Sequence, residues 1–382
     1  MSINQKIGLY IHIPFCISKC PYCDFFSIVT HDDKLKRRYI SALIKETEIY
    51  GQKIKDVELI SIYIGGGTPT ILEGKQLKEI LSALNNNFSI ADDAEITIEA
   101  NPGTIDGDKI KTLFRAGVNR ISLGGQSFDD RTLKKIGRIH NKKDIIDTFQ
   151  LARYEGFKNI NVDIMFGLPG QSKKEFEKTL KELITLKPEH ISLYALTIER
   201  DTALYELVET GKTRLPSDDF CNELFLNSIK LFADNGYEHY EISNFALPGK
   251  RCNHNALYWK NKPYLGIGAG ATSYIDNKRY KNYQELNHYI YLLKNGILPI
   301  GYQEVLPLKE KMAETIILQL RMIEGLDKYD FSEQFKVPVE IVFYTPIKTL
   351  KEQGLLAENE TNLFLTKKGI LLANNVFIEF LD

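Results

Sequence analysis

The most constraining feature of the sequence is a repeated alternation of short and long apolar patterns over its first two hundred residues. Amphipathic stretches with apolar residues three and four positions apart predict helices, and β-branched runs between them predict strands. The predicted helices are Leu35–Tyr50, Gln76–Leu84, Asp108–Ala116, Lys142–Tyr154 and Lys174–Leu186. The predicted strands are Gly8–Ile13, Leu59–Ile64, Glu95–Ala100, Arg120–Leu123, Asn161–Phe166 and His190–Leu196. Because parallel neighbours need a crossover, and helices supply it, this order predicts an α/β fold with a parallel sheet.

Polar and glycine residues of unusual type stand where most of these strands end. The segment Gly65–Pro69 follows the second strand, and Glu99, Gln126, Asp163 and Tyr194 lie at the ends of later ones. In a barrel, many strands contribute functional residues at their carboxyl ends, whereas an open sheet concentrates them at one switch point. We therefore expect a partial, TIM-like (β/α)6 barrel.

The pattern changes twice along the rest of the chain. We assign residues 1–235 to the barrel, 236–306 to a flanking segment rich in glycine and aromatic residues, and 307–382 to a small C-terminal domain. That domain has helical patterns followed by a terminal segment, at Lys309–Met322, Tyr329–Phe335, Val339–Glu352, Leu363–Thr366 and Gly369–Glu379. This order predicts a mainly helical, winged-helix-like domain.

The charge balance argues against several function classes. Lys and Arg total 49 and Asp and Glu total 50, which gives a formal net charge of −1. A chain without a basic stripe has no bulk attraction for nucleic acid or for an anionic membrane, so we expect no nucleic-acid partner. The sequence has no apolar run long enough to span a bilayer, and its N-terminus lacks a signal-peptide pattern. We therefore expect a cytoplasmic protein.

The cysteines indicate a metal site rather than disulfide bonds. There are five, an odd number, and Cys16, Cys20 and Cys23 fall within eight residues after the first strand. This C-x3-C-x2-C spacing supplies three thiolates, which suit a [4Fe-4S] cluster with one iron left open to a small chelating molecule. The alternative is a zinc ion completed by a distant ligand such as His31. Cys221 lies on an amphipathic helical pattern and is interpreted as core packing.

The motif, in the context Tyr10–Cys16, resembles that of the radical S-adenosylmethionine (SAM) superfamily. Other stretches resemble its branch that contains the oxygen-independent coproporphyrinogen oxidases. They are Gly65–Thr70 (GGGTPT), Glu99–Gly103 (EANPG), Asn119–Phe128 (NRISLGGQSF), Gly137–His140 (GRIH), Asp163–Gly170 (DIMFGLPG), His190–Glu199 (HISLYALTIE), Tyr240–Phe245 (YEISNF) and His254–Trp259 (HNALYW). The resemblance covers almost the whole chain in order, and it implies a [4Fe-4S] cluster and SAM as cofactors.

The resemblance also implies a SAM site. In the family, SAM on the cluster is cleaved to a 5′-deoxyadenosyl radical, while the protein orients it and excludes water. The glycines would let the backbone approach the methionyl part, Glu99 would accept from ribose hydroxyls, and Arg138 would pair with a carboxylate. Tyr10 and Tyr22 would pack near the cluster and the adenine. The matching residues are Tyr10, Tyr22, Gly66, Gly67, Thr68, Glu99, Gln126, Arg138 and Asp163. Taken singly, each also suits a turn, a cap, a salt bridge or the core.

Two features separate this chain from the oxidases and resemble the haem-chaperone group of the same branch. The oxidases extend the motif to CxxxCxxCxC, whereas Phe25 stands at its last position here. The HNxxYW motif of the chaperone group implies a haem site at His254, Tyr258 and Trp259. Imidazole is a common axial ligand of haem iron, and flat aromatic rings suit a porphyrin face. The alternatives are ligation by Cys252, or a structural role in which His254 caps a turn and Trp259 fills the core.

The leading hypothesis is a carrier that binds haem and delivers it to client haemoproteins, membrane-associated ones included, with the cluster and SAM setting its state. The alternative is an enzyme that oxidatively decarboxylates coproporphyrinogen III to protoporphyrinogen IX, against which Phe25 argues. A radical SAM enzyme acting on another tetrapyrrole or an unrelated substrate is a third hypothesis. Homodimer formation is left open by the sequence.

Overall fold

The computed structural model describes residues 5–381. Six parallel strands follow one another in chain order across its main sheet: β1 (Gln5–Ile13), β4 (Val57–Gly66), β5 (Ser89–Ala100), β6 (Arg120–Gln126), β7 (Ile160–Phe166) and β8 (His190–Ala195). Two short strands, β2 (Phe15–Cys16) and β3 (Ile28–Val29), pair in parallel after β1. The strand order does not reverse at a switch point, as it would in a doubly wound sheet. The predicted partial barrel is therefore confirmed.

Helices make the crossovers between these strands, as the periodicity predicts. They are α1 (Asp33–Lys53), α2 (Gly74–Asn87), α3 (Gly107–Arg115), α4 (Asp130–Lys135), α5 (Lys142–Tyr154) and α6 (Lys173–Leu186), with a short 3-10 helix at Pro69–Ile71. Local caps fix where the helices begin. The Asp32 carboxylate accepts from the backbone of Lys34 at 2.8 Å before α1, and Ser172 and Glu175 form a reciprocal capping box before α6. Such caps satisfy backbone donors that no helical carbonyl can reach.

The flanking segment adds strands to both edges of the barrel sheet. Beyond β8 lie β10 (Asn244–Ala246) and β9 (Glu238–Glu241), which are preceded by α7 (Ala203–Glu209) and α8 (Asp218–Asp234). Beyond β1 lie β11 (Tyr264–Ile267), β12 (Thr272–Ile275), β13 (Lys278–Asn282) and β14 (Ile300–Val305). Two helices, α9 (Asn253–Trp259) and α10 (Leu286–Lys294), complete the segment. Its hydrogen bonding thus joins it to the barrel, while the domain boundaries themselves stay predictions.

The C-terminal part has a core of its own and is mainly helical. Its helices are α11 (Leu308–Gln319), α12 (Lys328–Phe335), α13 (Val339–Val342), α14 (Tyr344–Glu352), α15 (Lys367–Leu371) and α16 (Ala373–Ile378). Strands β15 (Leu326–Asp327), β16 (Leu356–Glu358) and β17 (Asn362–Leu365) form a small antiparallel sheet.

The single helix predicted over Val339–Glu352 is wrong, because the helix is interrupted at Phe343. Pro346 cannot donate to the carbonyl four residues back, so it prevents a continuous helix.

A large apolar core lies between the barrel strands and their helices, and it includes Leu9, Ile64, Ile98, Leu123 and Ile164, all fully buried. Within residues 5–381, no helix is both long enough and apolar enough to cross a membrane.

Candidate functional site

The three clustered cysteines line one cavity at the carboxyl ends of the barrel strands. The loop between β2 and β3 carries Cys20 and Cys23, and Cys16 is the last residue of β2. The sulfur of Cys16 lies 3.8 Å from Thr68 Oγ1, and that of Cys20 lies 3.8 Å from the carbonyl oxygen of Gly137. All three thiols are free of disulfides. The cavity that they border, here called the cluster cavity, encloses about 160 Å³.

The donor set of the cluster cavity suits an iron–sulfur cluster better than a zinc ion. Three soft thiolates border it, while His31 is exposed and is absent from the cavity wall formed by the described residues. Within residues 5–381, no three side chains from His, Cys, Asp or Glu are grouped closely enough to hold a single metal ion. Structural zinc needs four ligands around one point. A cubane spreads its irons over several corners, which fits thiols distributed around a cavity.

The turn after β4 brings backbone close to the cysteines. A Cβ on Gly67 would lie 2.6 Å from the carbonyl oxygen of Phe15 and 3.0 Å from the sulfur of Cys16. Gly66 has a φ of +115°, and a Cβ there would lie 2.6 Å from the His12 ring. Glycine is required at both positions because any side chain would collide. The two glycines therefore let the turn pack closely on β1 and β2, and their backbone borders the cluster cavity.

Two carboxylates line the same cavity, Glu99 near the end of β5 and Asp163 in the middle of β7. Tyr63 donates a hydrogen bond to Glu99 Oε1 at 2.8 Å, and the backbone N–H of Gly66 donates to Oε2 at 3.2 Å. Burial raises the pKa of Glu99 to about 7. Asp163 accepts from Asn161 Nδ2 at 2.7 Å, and burial also raises its pKa. Each carboxylate retains acceptor capacity for a ligand hydroxyl or ammonium group.

Arg138 places a cationic fork in the wall of the cluster cavity. Its guanidinium donates to the carbonyl oxygen of Gly124 at 2.8 Å and to Asn101 Oδ1, and Nη1 lies 3.6 Å from the sulfur of Cys20. Within the described part of the chain, its buried Nε has no hydrogen-bond partner. Arg138 also lines the cluster cavity, so its guanidinium suits a ligand that brings a carboxylate.

The structure brings together most of the residues predicted for the SAM site. Tyr10 is not in the walls of the cavities that the described residues form: its hydroxyl is hydrogen-bonded to His12 Nδ1 at 2.9 Å, and its ring stacks on Tyr63. The predicted residues that line the cluster cavity are Cys16, Cys20, Tyr22, Cys23, Gly66, Gly67, Thr68, Glu99, Gln126, Arg138 and Asp163.

A second cavity, here called the barrel cavity, opens from the first and encloses about 350 Å³. Both cavities share Tyr22, Phe25, Glu99 and Asp163 in their walls. Phe25, at the position where the resemblance implies a further cysteine in the oxidases, is 65% exposed and lines both cavities. The barrel interior therefore keeps room for a molecule beside the cluster cavity.

The HNxxYW helix, α9, closes the barrel cavity from the amino-terminal side. Its Asn255 lies in the cavity wall. Glu95 on β5 anchors the start of the helix by accepting from the Cys252 thiol at 3.4 Å and from the backbone of Asn253 and His254 at 3.3 and 3.2 Å. Opposite, Leu257 lies 2.9 Å from the position that a Cβ on Gly8 would take. The helix thus packs directly against the bare backbone of β1.

His254 is buried beneath this cavity with both ring nitrogens engaged. Nδ1 is 2.9 Å from Ser61 Oγ, and Nε2 is 2.9 Å from the hydroxyl of Tyr258. Burial lowers the pKa of His254 to about 3, so the ring is neutral at physiological pH. The neutral form is the one that ligates metals. Haem ligation at His254 stays a prediction, and it requires the ring to leave at least one of these partners.

The two other aromatic residues of the motif, Tyr258 and Trp259, contact different parts of the molecule. Tyr258 packs edge-on against Tyr264, whereas Trp259 lies under the guanidinium of Arg321 at 4.4 Å from ring centroid to Cζ. Within residues 5–381, no acceptor reaches the buried Nε1 of Trp259. Cys252 is fully buried, and burial raises the pKa of its thiol to about 12. The motif therefore links the barrel to the C-terminal domain in this structure.

Four residues around α9, three of them buried and Tyr63 half-buried, were missed by sequence reasoning. Ser61, Tyr63 and Glu95 contact or anchor His254, and Arg120 is 2% exposed in the wall of the barrel cavity. The only sequence signal for them is a polar or charged residue inside a strand that is otherwise apolar. Such a residue is costly to bury unless it is paired or binds a ligand.

Comparison with known proteins places the chain in a family. A model of the radical SAM superfamily matches residues 10–183, and a model of the HemN C-terminal domain matches residues 306–372. The chain is 39% identical to the heme chaperone HemW of Bacillus subtilis (strain 168) over 97% of this chain and 98% of that protein. It belongs to the HemW family. The heme chaperone HemW of Escherichia coli (strain K12) is 35% identical, over 98% of each chain.

The HemW family shares its architecture with an oxidase. The solved structure of coproporphyrinogen III oxidase (HemN) from Escherichia coli, described as a radical SAM enzyme, matches with a TM-score of 0.86 at 26% identity. The match covers 99% of this chain and 90% of that one, so it includes the C-terminal domain. Fold alone therefore does not separate carrier from oxidase.

Proposed function

We propose that this HemW-family protein is a haem chaperone, which binds haem and passes it to client haemoproteins. The observation that carries the proposal is the full-length similarity to heme chaperones at 32–39% identity. For one organism, Escherichia coli, the chain is 35% identical to HemW and 26% identical to the oxidase HemN. Phe25 at the mouth of the cluster cavity agrees with this preference.

Cys16, Cys20 and Cys23 would hold a [4Fe-4S] cluster, and the cluster cavity would take SAM. When bound, the pair supplies one-electron chemistry that the side chains themselves lack. The backbone of Gly66 and Gly67 would border the methionyl part, and the Arg138 guanidinium would donate to its carboxylate. Glu99 would accept from the ribose. The tight glycine turn and the buried guanidinium support this assignment.

Haem is the cargo in this proposal, and His254 is its proposed iron ligand. Ligation would require α9 to withdraw far enough to expose the imidazole, with Tyr258 and Trp259 offering flat surfaces to the porphyrin. Cytoplasmic location, membrane-associated clients and a homodimeric state belong to the proposal as well.

A haem titration tests this function. The full chain, with its cluster reconstituted anaerobically, is titrated with haem and followed by the Soret band. We expect stoichiometric binding by the wild type and by His31→Leu, a control at an exposed histidine, and loss of the shifted Soret band in His254→Leu. Iron content after cluster assembly should be equal in all three. Unaltered haem binding by His254→Leu would show that His254 is not the iron ligand. Absence of haem binding by the wild type would overturn the proposed function.

A further inference from the structure

One tyrosine joins the HNxxYW histidine to the proposed SAM site. The ring of Tyr63 stacks on His254 with centroids 5.2 Å apart and an interplanar angle of 26°. Its hydroxyl donates to Glu99 Oε1 at 2.8 Å, and Glu99 Oε2 accepts from the backbone of Gly66 at 3.2 Å. His254, Tyr63 and Glu99 thus connect α9 to the glycine turn. Along β4, the five residues from Ser61 to Gly66 span roughly 16 Å, at about 3.3 Å per residue.

The proposed haem ligation gives His254 two states. In this structure the ring is seated, with Ser61 on one nitrogen and Tyr258 on the other. A nitrogen engaged in a hydrogen bond has no free lone pair or vacant site for iron, so the ligating state is an unseated one. The His254 ring is 1% exposed and is packed between Tyr63, on which it stacks, and β1, where a Cβ on Gly8 would lie only 3.3 Å from its Nδ1. Unseating the ring therefore moves α9.

Movement of α9 would change the support of Tyr63. The tyrosine lies in the wall of the barrel cavity together with Glu99 and with Asn255 of α9. Withdrawal of His254 removes the ring that covers one face of Tyr63. Tyr63 would then be held by its stack on Tyr10 alone, and its hydroxyl would orient the Glu99 carboxylate less firmly. A carboxylate that is no longer oriented is a poorer acceptor for a ligand hydroxyl, because ordering it costs conformational entropy.

We propose that Tyr63 is a positioning residue through which SAM and haem oppose each other. SAM held by Glu99 favours the seated α9, and haem on His254 favours the withdrawn one. Because binding free energies are reciprocal, each ligand must weaken the other by the same factor. SAM binding would then promote haem release to a client. The inference rests on the proposed function, since it needs both ligands to bind.

The test measures the coupling factor rather than either affinity alone. With the full chain and a reconstituted cluster, the SAM dissociation constant is measured by equilibrium dialysis with and without saturating haem, and haem affinity with and without SAM. Typical coupling energies correspond to about 5- to 150-fold, and we expect a change in this range in both directions. Tyr63→Phe keeps the ring stack and removes the hydroxyl. The factor by which each ligand weakens the binding of the other should therefore fall to near one. Tyr237→Phe is the matched control, because its buried hydroxyl donates to the Pro188 carbonyl at 2.7 Å, outside this path.

A second variant keeps the inference testable if Tyr63→Phe does not fold. Ser61→Ala removes one partner of the seated ring, so haem should bind more tightly and SAM more weakly, opposite shifts that a general structural defect would not give. If the wild type binds both SAM and haem but neither ligand changes the affinity for the other, the inference is overturned and the proposed function stands. A wild-type factor retained in Tyr63→Phe overturns the role of this residue. A wild type that fails to bind haem overturns the proposed function together with the inference.

Discussion

Replacing Gly67 by alanine tests whether the glycine turn sets the space for the cluster. The new Cβ would lie 2.6 Å from the Phe15 carbonyl oxygen and 3.0 Å from the Cys16 sulfur. Ordinary contact begins near 3.4 Å, so β2 would have to move by about 0.8 Å. Both neighbours are buried, and Cys16 is the last residue of the displaced strand. Overpacking of this kind costs about 1–3 kcal/mol.

We therefore expect Gly67→Ala to lower the free energy of unfolding of the cluster-free protein by that amount and to reduce the iron retained after anaerobic reconstitution. Urea denaturation and iron content per chain measure the two effects. Gly74→Ala is the control, because the new Cβ would meet only the Thr112 side chain, at 3.5 Å. Gly74 is also the first residue of α2, and alanine is favoured in helices. Wild-type iron content and stability in Gly67→Ala would refute the argument that this turn is matched to the cluster.

Further expectations concern pH, SAM and turnover. Burial raises the pKa of Glu46 to about 7, so its contribution to stability is full below the unfolded pKa near 4.5 and is lost as the pH rises towards 7. Urea denaturation at pH 5 and pH 8 should show a decrease on the order of 3 kcal/mol from this group, and Glu46→Gln should lack that part of it. Burial likewise raises the pKa of Glu99 to about 7, so the ionised fraction of this carboxyl rises about tenfold between pH 6 and pH 8. SAM should therefore bind about tenfold tighter at pH 8 than at pH 6, a dependence that Glu99→Gln should not show in equilibrium dialysis. In an anaerobic assay with SAM and a reductant, where HemN serves as positive control, coproporphyrinogen III should give no protoporphyrinogen IX; product at a comparable rate would favour the oxidase.

Much of the barrel could be predicted from the sequence because its determinants are local. The helix pattern over Lys142–Tyr154 and the strand pattern over Asn161–Phe166 are regular and bounded by glycine or a cap. The cluster cavity was predictable for the same reason, since the residues at strand ends converge once the strands are parallel.

The position of α9 could not be predicted, because it depends on contacts distant in sequence. Glu95 holds the backbone of His254 across 159 positions, and Gly8 makes room for Leu257 only once β1 is in place. The strands of the flanking segment are short, and their pairing with β1 and β8 is decided by those edges rather than by their own pattern. The helical periodicity continues through Phe343, so the break there is marked only by Pro346, three residues on.

Delivery of haem tests the central claim most directly. The reconstituted protein, loaded with one haem, is mixed with a client haemoprotein prepared without haem, and the absorption spectrum of the client is followed with time. Free haem at the same concentration and His254→Leu treated with haem serve as comparisons. We expect faster formation of the haem-loaded client from the wild type than from either comparison, and a further increase on addition of SAM. A rate equal to that of free haem, with or without SAM, would contradict it.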